Sequence, residues 1–334
     1  MAAERPRIAL VSELARLGRD RLDAFETAFE LVDRFELDNT RDEEVLVAGL
    51  AQAWGVVAGS ERYTATALER LPELRIIARC GVGFDAIDVD AATARAVVVS
   101  TTPDANADGV ADLTLALMLA CLRRVLTGDR SVRAAGWRLP GLSGDLTNAT
   151  VGIIGLGRVG RNVARRLSGF GCRLLAVEPY PDREFCREYG VEVGELDAIL
   201  PLLDVLTIHA PLNPSTRRLI GARELARLRP SAIVVNTSRG DVVEQEALIA
   251  ALTTGRLAGA GLDVYEREPL PAGHPLTALE NVVLSPHAGS FSRLSMERML
   301  DSVGTSLTSA REGRLPLGCI NPDAWAAARK ADAS

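Results

Sequence analysis

The stretch Val151-Gly152-Ile153-Ile154-Gly155-Leu156-Gly157-Arg158-Val159-Gly160 runs from an apolar segment into the spacing G-x-G-x-x-G. A strand that breaks into a glycine turn and then a helix leaves backbone N–H groups and the positive end of the helix facing outward, with no Cβ in the way. That is a grip for a pyrophosphate. Gly155, Gly157 and Gly160, with Arg158 and Val159 between them, are therefore candidate cofactor contacts. The motif begins almost halfway along a chain of 334 residues. If a dinucleotide domain starts only here, the preceding hundred-odd residues must form something else, most naturally the other wall of a cleft. Two domains are expected.

The residues around the motif extend this reading. About twenty residues on, where an acidic group is expected to hold the adenosine ribose, Glu178-Pro179 ends the apolar run Leu174-Leu175-Ala176-Val177. A carboxylate accepts hydrogen bonds from two ribose hydroxyls and repels a 2′-phosphate, so NAD is expected over NADP. Short apolar runs alternate with helix-period segments along the whole chain. Residues 7–11, 31–37, 55–58, 75–78 and 97–100 read as strands, separated by amphipathic stretches such as 12–29 and 41–53. A second series follows at 150–154, 173–177, 205–208, 232–236, 259–262 and 282–284. This is the pattern of α/β domains with doubly wound parallel sheets. Residues 106–124 form a long apolar helix candidate, and 294–312 a final one that would return to the first domain.

Composition excludes several classes of function. With 47% hydrophobic and 25% charged residues the chain is an ordinary globular one, and its net charge of −6 gives no basic face for nucleic acid. No apolar run is long enough to span a bilayer, and the first residues carry no apolar leader, so a cytoplasmic protein with no membrane partner is expected. The five cysteines are scattered without C-x-x-C spacing, as expected for free thiols in a reducing compartment and no metal site. Of 38 basic residues only Lys330 is lysine, which removes Schiff-base and P-loop chemistry.

Chemistry is expected at the carboxyl ends of the later strands. Three candidates stand there: Arg239 in Val235-Asn-Thr-Ser-Arg239-Gly240, Glu268 in Asp263-Val-Tyr-Glu-Arg-Glu268-Pro269, and His287 in Leu284-Ser-Pro-His287-Ala-Gly289. Hydride transfer to a 2-oxo acid needs a cation for the carboxylate and carbonyl, a proton donor for the new alkoxide, and a group that supports the donor. Arg, His and Glu supply these roles. Of the other histidines, His209 in Thr207-Ile-His209-Ala210-Pro211 is expected beside the cofactor, and His274, in a Gly-His-Pro loop, in a structural role.

Taken together, the glycine motif, His209-Ala210-Pro211, Asn236-Thr-Ser-Arg239-Gly240, the 263–269 stretch and Pro286-His287 resemble the D-isomer-specific 2-hydroxyacid dehydrogenase family. In the first half, Gly81-Val-Gly83-Phe-Asp85-Ala-Ile-Asp88 and Thr102-Pro-Asp-Ala-Asn106 extend the resemblance over nearly the whole chain. The resemblance implies a Rossmann NAD-binding domain (101–287) inserted into a flavodoxin-like substrate domain (1–100 with 288–334), and a homodimer built through residues 106–148. It implies that Arg239 binds the substrate carboxylate and carbonyl, that Glu268 pairs with His287, and that His287 moves the proton. Val82 and Gly83 would hold the substrate carboxylate through their backbone. Asp263 would orient the nicotinamide amide, and Pro211, Thr216, Thr237, Ser238 and Gly289 would line the cofactor site.

Some residues depart from the family pattern. Where relatives acting on 3-phosphoglycerate carry an arginine-rich turn, this chain reads Ala58-Gly59-Ser60-Glu61-Arg62, which argues against a phosphorylated substrate. The chain ends at Ser334, and no C-terminal regulatory domain is expected. Phe291, Arg293 and Met296, after His287, are expected to reach the substrate pocket. The expected activity is NAD-dependent interconversion of a small D-2-hydroxy acid and its 2-oxo acid, such as glyoxylate or hydroxypyruvate. The alternatives are an NAD-sensing binding protein of the corepressor type and a formate or phosphite dehydrogenase of the same fold.

Overall fold

The computed structural model describes residues 5–139 and 141–332. The ends of the expected first domain, at residues 1–4 and 333–334, lie outside the described residues, as does the side chain of Lys330. The chain divides into two compact units, Met1–Asn106 with Ser290–Ser334 and Ala107–Gly289. The expected boundaries stood at 100/101 and 287/288. The long helix Ala107–Leu122 belongs with the second unit, because its apolar side chains pack on the second sheet.

The first unit carries strands β1 (Arg7–Leu10), β2 (Glu30–Asp33), β3 (Gly55–Ala58), β4 (Ile76–Arg79) and β5 (Val98–Ser100), all parallel, in the order β2-β1-β3-β4-β5. This is the flavodoxin-like order, with its switch point between β1 and β3. Strands β1, β3, β4 and β5 are apolar on both faces, while the edge strand β2 is only partly buried. Ile8, Leu10, Val57, Ile76, Ala78 and Val98 enter one core with Met299, Leu300, Val303 and Leu307 of the helix Arg293–Arg311. Their neighbours Ala9, Val11, Val56, Ile77 and Val99 enter the core on the opposite face. The two-residue alternation of a strand thus feeds two cores, as a parallel sheet covered on both sides requires.

The second unit holds β6 (Thr150–Ile154), β7 (Arg173–Val177), β8 (Val191–Val193), β9 (Val205–Ile208), β10 (Ile233–Asn236), β11 (Gly259–Leu262) and β12 (Val282–Leu284), again all parallel, in the order β12-β11-β10-β9-β6-β7-β8. The chain leaves β6 toward β7 on one side and returns beside β6 as β9 on the other. That reversal is the Rossmann switch point, where the loops after two neighbouring strands splay apart and leave a crevice.

Three expectations are corrected. The second sheet has seven strands rather than six. The addition is β8, a three-residue edge strand in which only Val191 is buried, too short to show a period. Residues 31–37 are not one strand: β2 stops at Asp33 and a 3₁₀ turn, Phe35–Leu37, follows. Residues 12–29 are not one helix but two short helices, Glu13–Leu17 and Arg19–Leu22, broken at Gly18, with a 3₁₀ turn after them.

Candidate active site

The turn after β6 is built by its three glycines, each for a different reason. Gly155 has φ +90°, in the left-handed region, and a Cβ there would lie 3.0 Å from the Ala210 nitrogen and the His209 carbonyl carbon. It lets the turn after β6 press against the turn after β9. A Cβ on Gly160 would lie 2.0 Å from the Gly155 carbonyl oxygen, so this glycine lets the helix Arg158–Leu167 close on its own strand. A Cβ on Gly157 would meet nothing within 4 Å. Gly157 is the N-cap of that helix and supplies no capping side chain, so its open side is where a ligand phosphate can approach the backbone. Arg158 and Val159 form the exposed and half-exposed start of the helix.

Glu178 stands at the end of β7, half-buried, where the ribose reader is expected. One carboxylate oxygen accepts from the Leu156 N–H at 2.8 Å and the other from the Tyr180 N–H at 3.0 Å. Each oxygen keeps a second lone pair for a ribose hydroxyl. Pro179 is exposed beside it. Across the switch point, His209 receives or gives a bond at Nε2 to Thr207 Oγ1 at 2.9 Å, while its buried Nδ1 has no partner. Burial pushes its pKa down to about 3, so the ring is neutral at physiological pH. An orphaned buried ring nitrogen beside an open glycine cradle is a fit for a polar ligand at this crevice. Ala210 is buried, and Thr216 closes the following loop by donating to the Pro211 carbonyl at 2.5 Å and accepting from the Asn213 N–H at 2.9 Å.

The turn after β10 is organised by Asn236, which sequence reading did not single out. Its amide oxygen accepts from the Ser238 N–H and hydroxyl at 3.0 and 2.9 Å, and its amide nitrogen donates to the Arg239 carbonyl at 2.9 Å. Thr237 is turned inward, 2.9 Å from the Thr114 hydroxyl. Gly240 then lies so close to the loop after β11 that a Cβ would fall 1.9 Å from the Tyr265 carbonyl carbon. This contact explains the Arg-Gly pair: the glycine lets the turn that carries Arg239 close on the loop that carries Glu268.

Glu268 and His287 meet directly, with Nδ1 and Oε2 2.7 Å apart. The other carboxylate oxygen accepts from the Tyr265 N–H at 2.9 Å. Burial alone would raise the Glu268 pKa, but the His287 bond, the His287 charge, the Tyr265 N–H and the Arg239 charge outweigh it and hold it below the usual carboxylate value. An ionised carboxylate only accepts, so Nδ1 of His287 is the donor and Nε2 is left to exchange a proton elsewhere. His287 has φ +54°, a left-handed conformation that costs a non-glycine residue energy and persists only where its surroundings impose it. Asp263, at the end of β11, imposes it. Its carbonyl accepts from the His287 N–H at 2.9 Å, and its two carboxylate oxygens accept from Ala288 and Gly289 at 2.7 and 2.9 Å. Asp263 is 1% exposed, and burial raises its pKa. Tyr265 completes the turn through bonds from its hydroxyl to the Leu262 and Ser285 carbonyls.

Of the remaining expected residues, Val82 and Gly83 lie in the loop after β4 of the first unit, Val82 exposed and Gly83 half-exposed. Phe291 is exposed, Arg293 begins the helix Arg293–Arg311, and Met296 is half-buried against the core of that unit. His274 caps the short turn Pro275–Ala278 through Nδ1, the structural role expected of it. Among the described residues no group of three or more His, Cys, Asp or Glu side chains is placed to hold a metal ion. No helix among them is long and apolar enough to cross a membrane.

Comparison with known proteins shows the family of the chain. The family described as D-isomer specific 2-hydroxyacid dehydrogenase, NAD binding domain, matches residues 115–289. A glyoxylate reductase from Korarchaeum cryptofilum is 38% identical over 330 residues, covering 96% of this chain and 97% of its own. Among solved structures, the NADPH-dependent glyoxylate/hydroxypyruvate reductase of Sinorhizobium meliloti, in complex with NADP and malonate, is 31% identical with a TM-score of 0.82, over 95% of this chain and 97% of that one. A glyoxylate reductase from Paecilomyes thermophila is 28% identical with the same TM-score of 0.82, over 95% and 98% of the two chains. The chain belongs to the D-isomer-specific 2-hydroxyacid dehydrogenase family and is a nicotinamide-dependent oxidoreductase that interconverts a 2-hydroxy acid and its 2-oxo acid.

Proposed function

We propose that the chain reduces a small, unphosphorylated 2-oxo acid of the glyoxylate or hydroxypyruvate type with NADH, using Arg239, Glu268 and His287. The observation that carries this reading is the 2.7 Å contact between His287 and an ionised Glu268 beside Arg239. Bound NADH supplies the hydride. Arg239 offers a planar fork to the substrate carboxylate and carbonyl oxygen. His287, with Nδ1 tied to Glu268, gives its Nε2 proton to the oxygen that becomes the hydroxyl, and takes it back in the reverse direction. The backbone of Val82 and Gly83 is assigned to the substrate carboxylate, by family resemblance. The names of the relatives support glyoxylate as a substrate.

The preference for NADH rests on Glu178, whose carboxylate at the ribose position would repel a 2′-phosphate. A homodimer is supported by the apolar side chains left exposed along residues 125–142: Val125, Leu126, Val132, Trp137, Leu139 and Leu142, with Trp137 86% and Leu142 94% exposed. Light scattering should return about twice the 35.6 kDa chain mass. A cytoplasmic location is supported by the five free cysteines. The deciding experiment is a panel of 2-oxo acids, phosphohydroxypyruvate included, with NADH and with NADPH, ranked by kcat/KM. Glyoxylate and hydroxypyruvate with NADH should head the ranking. Oxidation of NADH by none of the acids would end this reading, and a ranking led by phosphohydroxypyruvate or by NADPH would overturn its specificity.

A further inference from the structure

Leu156 sits between the first two glycines of the cofactor turn, and both of its backbone polar groups are taken by side chains. Its N–H donates to Glu178 at 2.8 Å, and its carbonyl accepts from Nε of Arg161 at 2.9 Å. Arg161 lies one turn into the helix Arg158–Leu167, and its side chain leans back toward the helix N-terminus, as helical side chains do. There Nη1 meets Asp182 Oδ2 at 3.0 Å, and the guanidinium lies 5.4 Å from the Phe185 ring centroid.

A trans peptide is planar, with its C=O and N–H pointing in opposite directions. A hydrogen bond that fixes one therefore aims the other. Glu178 holds the N–H of the Gly155–Leu156 peptide, which sends the Gly155 carbonyl the other way, onto the spot where Gly160 has no Cβ. Arg161 holds the carbonyl of the Leu156–Gly157 peptide. The Gly157 N–H must then point away from Arg161. Gly157 is also the one glycine of the motif where a Cβ would meet nothing within 4 Å.

We propose that Arg161 is a positioning residue for the cofactor pyrophosphate: by bonding the Leu156 carbonyl it turns the Gly157 N–H outward to receive a phosphate oxygen. The role is one of aim rather than of charge, because Asp182 partners the guanidinium. It rests on the nucleotide reading of this turn. It also gives Glu178 a second duty, since the residue assigned to the ribose holds the other side of the same turn.

Two substitutions separate the hydrogen bond from the charge. The side-chain nitrogen of Gln stands as many bonds from Cα as Nε of Arg, so Arg161→Gln can keep the Leu156 bond while losing the charge and the Asp182 contact. Arg161→Met, of similar length, loses all three. Both lose the Phe185 stacking, so a loss of stability from that source is common to the two. NADH titrated against wild-type and variant protein by fluorescence should bind R161Q within about threefold of wild type and R161M about tenfold more weakly, the scale of one net hydrogen bond. Adenosine, which has no phosphate, should bind all three alike. Equal NADH affinity of R161M and wild type would overturn the proposal. So would an R161Q as weak as R161M, which would assign the effect to charge, or a parallel loss of adenosine binding, which would assign it to general disorder of the turn. If wild-type protein bound no NADH, the cofactor reading itself would fall and this proposal with it.

Discussion

At the scale of single residues, the site is a set of side chains whose partners fix what each can do. His287 has its Nδ1 committed to an ionised Glu268, so only Nε2 is available for proton exchange. Its backbone is held at φ +54° by three hydrogen bonds to Asp263 across residues 287–289. His287→Gln removes the titratable proton and leaves the main-chain bonds in place. Turnover of the best 2-oxo acid should fall by roughly 10²–10⁴-fold, the usual worth of positioned proton transfer. NADH affinity, measured by fluorescence, should stay near wild type, because the glycine turn is not touched. A variant with ordinary turnover would remove His287 from the chemistry. These residue types were legible in the sequence because Arg239, Glu268 and His287 each follow an apolar strand. Asn236 and Arg161 were not, because their work is done on main-chain atoms, and nothing in a residue's spacing says which carbonyl its side chain will find.

At the scale of elements, half of the twelve strands among the described residues coincide with apolar runs: β3, β6, β7, β9, β11 and β12 begin and end where the runs do. The strand that escaped was β8, with two of its three residues exposed. The turn after β6 was legible as a motif, but its spacing does not say that its glycines differ in kind. Structure separates them, and substitution should too. Gly160→Ala places a methyl group 2.0 Å from the Gly155 carbonyl inside a closed strand-to-helix contact, and should destabilise the second unit by roughly 1–3 kcal/mol, read as a lower melting temperature. Gly157→Ala meets open space at φ −67°, so the protein should melt as wild type does. The same methyl group would occupy the phosphate's approach, and NADH affinity should drop by about tenfold or more. A destabilised G157A that still binds NADH normally would reverse these two roles.

At the scale of the whole molecule, each unit has its own sheet and its own pair of cores, and the position of the glycine motif pointed to two domains without saying which strands are neighbours. Strand order is decided by crossovers whose handedness and packing lie outside any local pattern. Stability should be divided in the same way, and one residue of the first unit gives a means of seeing it. Glu61, in the turn after β3, is 1% exposed and bonded to the Tyr63 hydroxyl at 2.6 Å and the Gly59 N–H at 3.2 Å, while its second oxygen has no partner. Burial, with Asp38 adding to it and Tyr63 and Arg79 opposing it, pushes its pKa from 4.5 up to about 7. The folded form therefore holds a proton that the unfolded chain releases near 4.5. Its contribution to stability is complete below that pH, declines as pH rises toward 7, and is gone above it. Over that window the loss is of the order of 3 kcal/mol, at about 1.4 kcal/mol per pKa unit. Glu61→Gln does not titrate. Calorimetry at pH 5 and pH 8 should show the unfolding transition of the first unit falling with pH in the wild type more than in E61Q, while the transition of the second unit shifts equally in both. Identical pH dependence in the two proteins would mean that Glu61 is ionised in the folded state at pH 5 as it is in the unfolded chain, and would remove the buried proton from this account.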